Sequence, residues 1–174
     1  SQGYENPRIT DEPSLLANLR AQLERLNKYE FSDAEWKRLL DTEIANDAMG
    51  IEAKTALIQT ADTIVSLKRD NGEPKNIKLI DKRNLGNNHM QVIHQYVPSG
   101  GTAKNRYDVT ILVNGLPMVH IELKRRGGTL REAFNQIDRY QRESFWAGKA
   151  LFEYVQIFVI SNGTQTKYYS NTTR

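Results

Sequence analysis

The chain has 174 residues, a length typical of one domain that buries a real core. Its hydrophobic content of 39% and aromatic content of 9% exclude a disordered chain, and no apolar run approaches the roughly 20 residues that a membrane span needs. The absence of cysteine excludes disulfides and indicates a reducing cytoplasm, while the net charge of +3 is modest, so the distribution of basic residues matters more than their sum.

The first 60 residues have a mainly helical pattern and are expected to form a scaffold. Residues 11–14 open a helix with a leucine stripe at positions 16, 19, 23 and 26. Residues 32–35 form a capping box, and apolar residues at 36, 39, 40 and 44 follow at helical spacing. The pattern leaves residues 46–60 undecided.

Short strands are predicted in the middle of the chain. Residues 63–67 and 77–80 lie on either side of a turn at 70–73. Residues 89–97 alternate as a strand that is expected to lie first in the main sheet, and a turn at 98–101 follows.

Residues 108–124 carry the most informative pattern. Asn114-Gly115 joins two apolar runs, with Asp108 at the start of the first and Glu122 and Lys124 at the end of the second. Side chains two residues apart point to the same face of a strand, so Glu122 and Lys124 share a face. The pattern predicts a β-hairpin with charged side chains at its open end.

Two registers fit this hairpin, and the hydrophobic pattern favours one of them. A two-residue turn opposes Val113 with Leu116 and puts the two carboxylates on different faces. A three-residue loop opposes Leu112 with Leu116 and Asp108 with His120, which puts the β-branched residues on one face and the charged residues on the other. We therefore expect the longer loop, with its glycine in the left-handed region forming a bulge after a type I turn.

Two carboxylates and a lysine at one end of a strand pair are typical of a metal-dependent phosphodiesterase. Mg²⁺ takes oxygen ligands and keeps several waters, so Asp108, Glu122 and the Leu123 backbone carbonyl can hold it and leave room for a phosphate. Lys124 can orient the attacking water and offset charge developing on phosphorus. Such triplets are common, and a solvated strand face ending in a Lys-Arg-Arg run is the alternative interpretation.

A helix is predicted after the glycine pair 127–128. Residues 129–132 form a capping box, and apolar or long side chains recur at helical spacing at 130, 133, 134, 137 and 141. Gln136 and Tyr140 share a helix face, for which a polar face with a half-buried tyrosine is the alternative to a functional pair. Residues 154–160 then form an apolar strand, and residues 166–170 return beside it.

This succession of elements resembles the PD-(D/E)xK nuclease superfamily. More narrowly, residues 106–174 look like the N-terminal nuclease domain of the R (restriction and motor) subunit of type I restriction-modification enzymes. The segments that carry the resemblance are 106–117, 121–124, 131–137, 139–140 and 156–163, with a looser likeness over 14–36 and 79–84.

The resemblance implies a role for each residue of the pattern. It implies that Asp108 and Glu122 are metal ligands and that Lys124 is the catalytic lysine. It also implies that Gln136 and Tyr140 form the family's Gln-x-x-x-Tyr element, which is needed for cleavage and places the DNA backbone.

Basic side chains crowd this region at positions 104, 106, 124, 125, 126 and 131. A charge run is usually a solvated face, but beside two metal-binding carboxylates it favours phosphate contact, so Arg125 and Arg126 are candidate DNA-positioning residues. The histidines at 89, 94 and 120 lack zinc-site spacing. His120 shares a predicted face with Glu122, and we interpret it as a polar strand residue, with a catalytic role near the metal as the alternative.

Three features depart from the family pattern. The superfamily's proline before the aspartate is Tyr107 here, which is a common departure. An early helix that often supplies a further acidic residue would lie upstream of Ser1, so no residue is assigned to that role. The chain has no Gly-x-x-x-x-Gly-Lys-[Ser/Thr] loop, so we expect a nuclease domain excised from a longer subunit with an ATP-driven motor.

The expected fold is α/β, a restriction-endonuclease-like mixed sheet of about four or five strands flanked by helices, with the site at one edge. Residues 1–174 are expected to form a single domain, with the catalytic core in 89–174. The expected function is Mg²⁺-dependent cleavage of double-stranded DNA, with ATP used by the motor and with methyltransferase and specificity subunits as partners. The alternatives are a repair or recombination nuclease of the same superfamily and a non-catalytic DNA-binding or docking module.

Overall fold

The structure is a computed structural model that describes residues 4–99 and 105–171. Positions 100 and 101 of the predicted turn, and Lys104, lie outside the described residues. The helices are α1 (Glu12–Asn27), α2 (Asp33–Arg38), α3 (Ile51–Gln59) and α4 (Leu130–Glu143). The strands are β1 (Ile64–Lys68), β2 (Pro74–Lys78), β3 (Met90–Tyr96), β4 (Tyr107–Val113), β5 (Leu116–Leu123), β6 (Ile157–Ser161) and β7 (Thr166–Ser170).

Five strands form the main sheet in the order β3-β4-β5-β6-β7, and β1 and β2 form a separate pair. Neighbours in the main sheet are antiparallel except β5 and β6, whose parallel pairing requires the crossover that contains α4. The α/β class, the mixed sheet and the leading position of β3 are confirmed. Asp108 and Glu122 lie near the ends of interior strands, so the expected site at the sheet edge is wrong.

The hairpin between β4 and β5 turns through two residues. Asn114 and Gly115 have φ of 50° and 84°, as in a type I′ turn, and Val113 pairs with Leu116. The predicted three-residue loop is therefore wrong, although its glycine is left-handed as expected. The Asn114 side chain fixes the turn, because it is buried, accepts the backbone N–H of His89 at 2.8 Å and donates to a distant backbone carbonyl at 3.0 Å.

A bulge in β5 compensates for the shorter turn. The register shifts beside Ile111, which pairs with Val119, so β5 accommodates one extra residue. A shift by one residue exchanges the two faces of a strand, and the bulge therefore restores the shared face that the longer loop was expected to provide. Continued toward the strand ends, the register places Asp108 opposite Glu122, where the prediction had His120.

Burial divides the two faces of this hairpin unequally. The β-branched residues of one face are half-buried: Val109, Ile111, Val113, Val119 and Ile121. On the other face, Thr110, His120 and Glu122 are no more than 1% exposed. The rings of Tyr140 and Phe145 lie 6.0 and 5.8 Å from the imidazole of His120. The polar residues of the hairpin therefore lie in the core between the sheet and α4.

Helix α1 packs against the turn of the hairpin. Asp11 caps the helix by accepting the backbone N–H of Ser14 at 3.0 Å, as its sequence predicted. The buried leucines are at 15, 19 and 23, whereas the predicted positions 16 and 26 are half-buried. A Cβ on Gly115 would lie 2.6 Å from Cα of Leu19, so glycine permits this close approach.

The remaining scaffold is helical. Ser32 and Glu35 form the second predicted capping box at the start of α2. A π-helical segment, Leu39–Ile44, continues α2, and the undecided residues 46–60 contain α3. Among the helices of the described residues, none has the length and apolar character that crossing a membrane requires.

Candidate active site

Asp108 and Leu123 are joined at the ends of β4 and β5. The backbone N–H of Leu123 donates a hydrogen bond to Asp108 Oδ2 at 2.9 Å. This bond ties the first carboxylate to the residue that follows the second, Glu122. The three residues predicted to supply metal ligands are therefore adjacent.

Glu122 is buried, and its two oxygens differ in their surroundings. Oε1 accepts from Lys124 Nζ at 3.3 Å, whereas Oε2 has no hydrogen-bond partner. The Nε2 atom of His120, also without a hydrogen bond, lies 3.6 Å from Oε2. An unpartnered buried carboxylate oxygen destabilises a folded protein, so this end of Glu122 indicates a position that a cation or a donor completes.

Lys124 begins a chain of hydrogen bonds that runs into α4. Its ammonium donates to Gln136 Oε1, and the amide of Gln136 donates to the Tyr140 hydroxyl. The hydroxyl donates in turn to the backbone carbonyl of Arg106 at 3.1 Å. The chain thus holds the lysine after β5 against the start of β4, and it brings the two sequence-predicted pairs, Glu122 with Lys124 and Gln136 with Tyr140, into contact.

Helix α4 presents Tyr140 to the interior. Thr129 caps the helix by accepting a backbone N–H at 3.4 Å, and Ala133, Ile137 and Tyr140 form its buried stripe. Phe134, which was expected to share the apolar face, is 47% exposed.

The environment of Tyr140 keeps its hydroxyl protonated. Burial raises the pKa of the phenol, the hydrogen bond from Gln136 opposes the rise, and the charges of Glu122 and Asp108 add to it. Tyr140 is 1% exposed, so the alternative interpretation, a polar helix face with a half-buried tyrosine, is wrong for this residue. A protonated hydroxyl can serve as the donor to the Arg106 carbonyl.

An open cleft of about 590 Å³ leads to Asp108. Gln136 and Tyr140 line it, together with the guanidinium-bearing residues Arg106 and Arg139. Arg139 also lies over the Tyr140 ring, with its guanidinium carbon 5.6 Å from the ring centroid. The cleft therefore combines one carboxylate of the pair with two cations.

Arg125 and Arg126 do not join this arrangement. Both are exposed beyond the end of β5, and in the described part of the chain their side chains form no ion pair or hydrogen bond. Arg131 is exposed in the same way. These three arginines are exposed to solvent and do not line the cleft.

The sequence interpretation missed the place of Arg139 in the cleft and the burial of His120. Arg139 lies three residues after Gln136, and this helical spacing was the available signal that it shares the cleft. His120 was interpreted as a polar strand residue, yet it is fully buried beside Glu122. Its two-residue spacing from Glu122 indicated a shared face, but nothing in the sequence indicated burial.

The donor set at the strand ends fits a hard divalent cation. Asp108 and Glu122 offer carboxylate oxygens, one of them an orphaned buried atom. Within residues 4–99 and 105–171, no three His, Cys, Asp or Glu side chains cluster so as to hold a metal ion. A cation here would need the Leu123 carbonyl, waters or a phosphate oxygen as well, and Mg²⁺ characteristically keeps such ligands.

Comparison of the sequence with known proteins identifies the family of the chain. The model of the type I restriction enzyme R protein N terminus matches residues 1–174. The chain belongs to this family. The resemblance to the R subunit that residues 106–174 indicated is thus confirmed. The match also includes the helical scaffold in the first 60 residues.

Relatives of this R-protein N-terminal chain are named as endonuclease subunits. The chain is 49% identical over 175 residues to the type I restriction enzyme EcoprrI endonuclease subunit of Escherichia coli. This alignment covers 100% of the chain and 55% of the relative. It is 42% identical over 176 residues to the SsaAORF53P endonuclease subunit of Staphylococcus saprophyticus, covering 98% of the chain and 18% of the relative. A putative MjaVIIIP endonuclease subunit of Methanocaldococcus jannaschii is 30% identical over 176 residues, 96% of the chain and 16% of the relative.

Proposed function

We propose that this R-protein N-terminal chain is the nuclease module of a type I restriction enzyme and cleaves double-stranded DNA with Mg²⁺. The observation that carries the proposal is the convergence of Asp108, Glu122 and Lys124 at the ends of two paired strands. The Leu123–Asp108 hydrogen bond and the contact between Lys124 and Glu122 support it. Binding alone does not require this combination of two carboxylates and an ammonium.

Asp108, Glu122 and the Leu123 carbonyl would hold the cation. When bound, Mg²⁺ supplies Lewis-acid activation of a phosphodiester and of the attacking water. The Leu123 N–H holds Asp108, and Lys124 contacts one oxygen of Glu122, so both carboxylates are partly positioned before a cation binds.

Lys124 orients the attacking water and offsets negative charge that develops on the phosphorus. Gln136 accepts from its ammonium, and Tyr140 anchors Gln136. These two residues restrict the lysine to one side of Glu122, which is a positional contribution to catalysis.

Arg106 and Arg139 are the cations of the cleft, and they would contact the DNA backbone there. Arg125 and Arg126 would add charge outside the cleft and contribute to salt-dependent affinity. No groove-reading helix is needed for a module that cuts at a position set by other subunits.

Family membership favours restriction over repair or recombination. The chain spans about half of one relative and less than a fifth of two others. The ATP-driven motor, the methyltransferase and specificity subunits, and a cytoplasmic location are therefore part of the proposal for the longer protein.

The test uses the full-length subunit assembled with its partner subunits on plasmid DNA. Asp108→Ala and Lys124→Ala are expected to abolish Mg²⁺-dependent cleavage while ATP-driven translocation continues. Lys167→Ala, an exposed lysine on β7, is the matched control and is expected to cleave normally. Undiminished cleavage by Asp108→Ala would refute the assignment, and a wild-type subunit that binds DNA without cutting it would support the non-catalytic alternative.

A further inference from the structure

Two buried side-chain atoms in the described part of the chain have no hydrogen-bond partner, and they face each other. They are His120 Nε2 and Glu122 Oε2, which lie 3.6 Å apart. The two residues are 0% and 1% exposed, so solvent does not satisfy either atom. Leaving a buried polar atom without a partner destabilises the folded chain.

The neighbours of His120 favour one position for its ring proton, because the carboxylate oxygen Glu122 Oε2, which can only accept, faces Nε2. Thr110 Oγ1 lies 3.5 Å from Nδ1, and a threonine hydroxyl can donate to that nitrogen. The aromatic rings of Tyr107, Tyr140 and Phe145 also lie beside the imidazole. With Nδ1 as the acceptor, the ring carries a proton on Nε2, which faces Glu122.

We propose that His120 is a positioning residue whose Nε2–H holds the Oε2 atom of Glu122. A small closure of the 3.6 Å separation makes this a hydrogen bond and satisfies both orphaned atoms. The role of the held carboxylate in binding a cation rests on the proposed function, whereas the His120–Glu122 interaction itself does not.

The interaction fixes the plane of the Glu122 carboxylate from both sides. His120 holds Oε2 and Lys124 holds Oε1, at 3.6 and 3.3 Å. Each carboxylate oxygen has two lone pairs, so one on each atom stays available to a cation. Residues behind a metal ligand that orient it in this way commonly change metal affinity by about 10–100-fold when they are replaced.

The opposite arrangement would make His120 itself a metal ligand. Its Nε2 would then be unprotonated, and its Nδ1–H would donate to Thr110. The oxygen preference of Mg²⁺ disfavours this arrangement, and the two arrangements differ in the tautomer of the imidazole.

The first experiment measures that tautomer in the 174-residue chain without divalent ions, from the ¹³C and ¹⁵N chemical shifts of the His120 ring. The expected result is the Nε2–H tautomer at neutral pH. An Nδ1–H tautomer would overturn the proposal whether or not the chain is a nuclease.

The second experiment measures Mn²⁺ affinity by electron paramagnetic resonance in His120→Leu and His120→Gln. The leucine variant is expected to bind at least about 10-fold more weakly, and the glutamine variant, whose amide can donate from the Nε2 position, is expected to recover most of that loss. His94→Leu, an exposed histidine on β3, is the matched control, and circular dichroism monitors folding.

Equal Mn²⁺ affinity in His120→Leu and His94→Leu would overturn the positioning role. A wild-type chain that binds no Mn²⁺ would instead count against the proposed function, and the tautomer measurement would still decide the His120–Glu122 interaction. If the leucine variant does not fold, the glutamine variant and the tautomer carry the test.

Discussion

The backbone N–H of Leu123 donates a 2.9 Å hydrogen bond to Asp108 Oδ2. At the end of β5, the Asp108 side chain of β4 thus takes the place of a backbone carbonyl as the acceptor. This bond holds the Asp108 carboxylate at the mouth of the hairpin before any ligand binds. Glu122 directly precedes Leu123 in β5. The hydrogen bond of Leu123 to Asp108 therefore also fixes the position of Glu122 relative to Asp108, because adjacent residues of a strand have a regular spacing.

Asp108→Asn is expected to weaken divalent-ion binding by at least about tenfold, or ~1.4 kcal/mol. The amide preserves the shape of the side chain and an acceptor for Leu123, but it removes one of two anionic ligands. Titration calorimetry with Mn²⁺ measures the change. Asp138→Asn, a half-buried residue of α4 whose carboxylate is paired with Arg142, is the matched control, and equal affinities in the two variants would contradict the assignment.

Gly115→Ala is expected to destabilise the chain by about 3 kcal/mol. The new Cβ would lie 2.6 Å from Cα of Leu19, and φ at this position is +84°. Gly72→Ala is the control, because its φ is +87° but no atom lies within 4 Å of its Cβ position, so only the backbone term of about 1 kcal/mol applies. Urea unfolding measures both, and equal losses would mean that α1 does not press on the turn.

Leu23→Ala is expected to lower the free energy of unfolding by about 3 kcal/mol, since Leu23 is fully buried. Leu26→Ala, three residues along the same helix, is expected to cost about 1 kcal/mol because Leu26 is half-buried. Thermal or urea unfolding of the two variants compares them. A larger loss in Leu26→Ala would restore the leucine stripe predicted from the sequence.

Tyr107 is expected to make the fold sensitive to high pH. Burial raises the pKa of its phenol above the ordinary value of 10.0, although the hydrogen bond with Ser144 opposes the rise. The free energy of unfolding is therefore unaffected by ionisation of Tyr107 below pH 10.0. It falls as the pH rises above that value, because the phenol of Tyr107 ionises there in the unfolded chain but not in the folded one. Urea unfolding at increasing pH is expected to show a shallower decline in Tyr107→Phe than in the wild type. The same slope in both would contradict the prediction.

Gln136→Met is expected to reduce DNA cleavage on the order of 100-fold by releasing Lys124 from its position. The variant removes the amide that links the lysine to Tyr140 without changing any charge. Gln141→Met, on the same helix, is the control and is expected to cleave normally. A matched loss in both variants would point to a general effect on α4.

Local patterns were predicted well because their physics is local. The caps of α1 and α2 depend on side chains that satisfy backbone groups three residues away, and both formed. The left-handed glycine at the hairpin turn was also predicted from the dipeptide Asn114-Gly115. Alternation and helical spacing gave the faces that Glu122 shares with Lys124 and Gln136 with Tyr140.

Predictions that required contacts between distant segments were less accurate. The loop length was wrong because the Asn114 side chain bonds to groups before β3, which no hairpin pattern contains. The bulge in β5 then placed Asp108 and Glu122 on the same face of the sheet. The hydrophobic pattern of the hairpin did not predict this bulge. The leucine stripe of α1 shifted because Leu15, rather than Leu16, is buried with Leu19 and Leu23.

By itself, the sequence determined which side chains could act together, since strand and helix periods fix the direction of neighbours on one element. Only the tertiary structure decided that Lys124 reaches Gln136, that Glu122 is buried and that His120 faces it. The reason is that these groups become buried and hydrogen-bonded only when α4 packs on the sheet. That packing brings together residues that are distant in the sequence, and local sequence patterns do not predict such contacts.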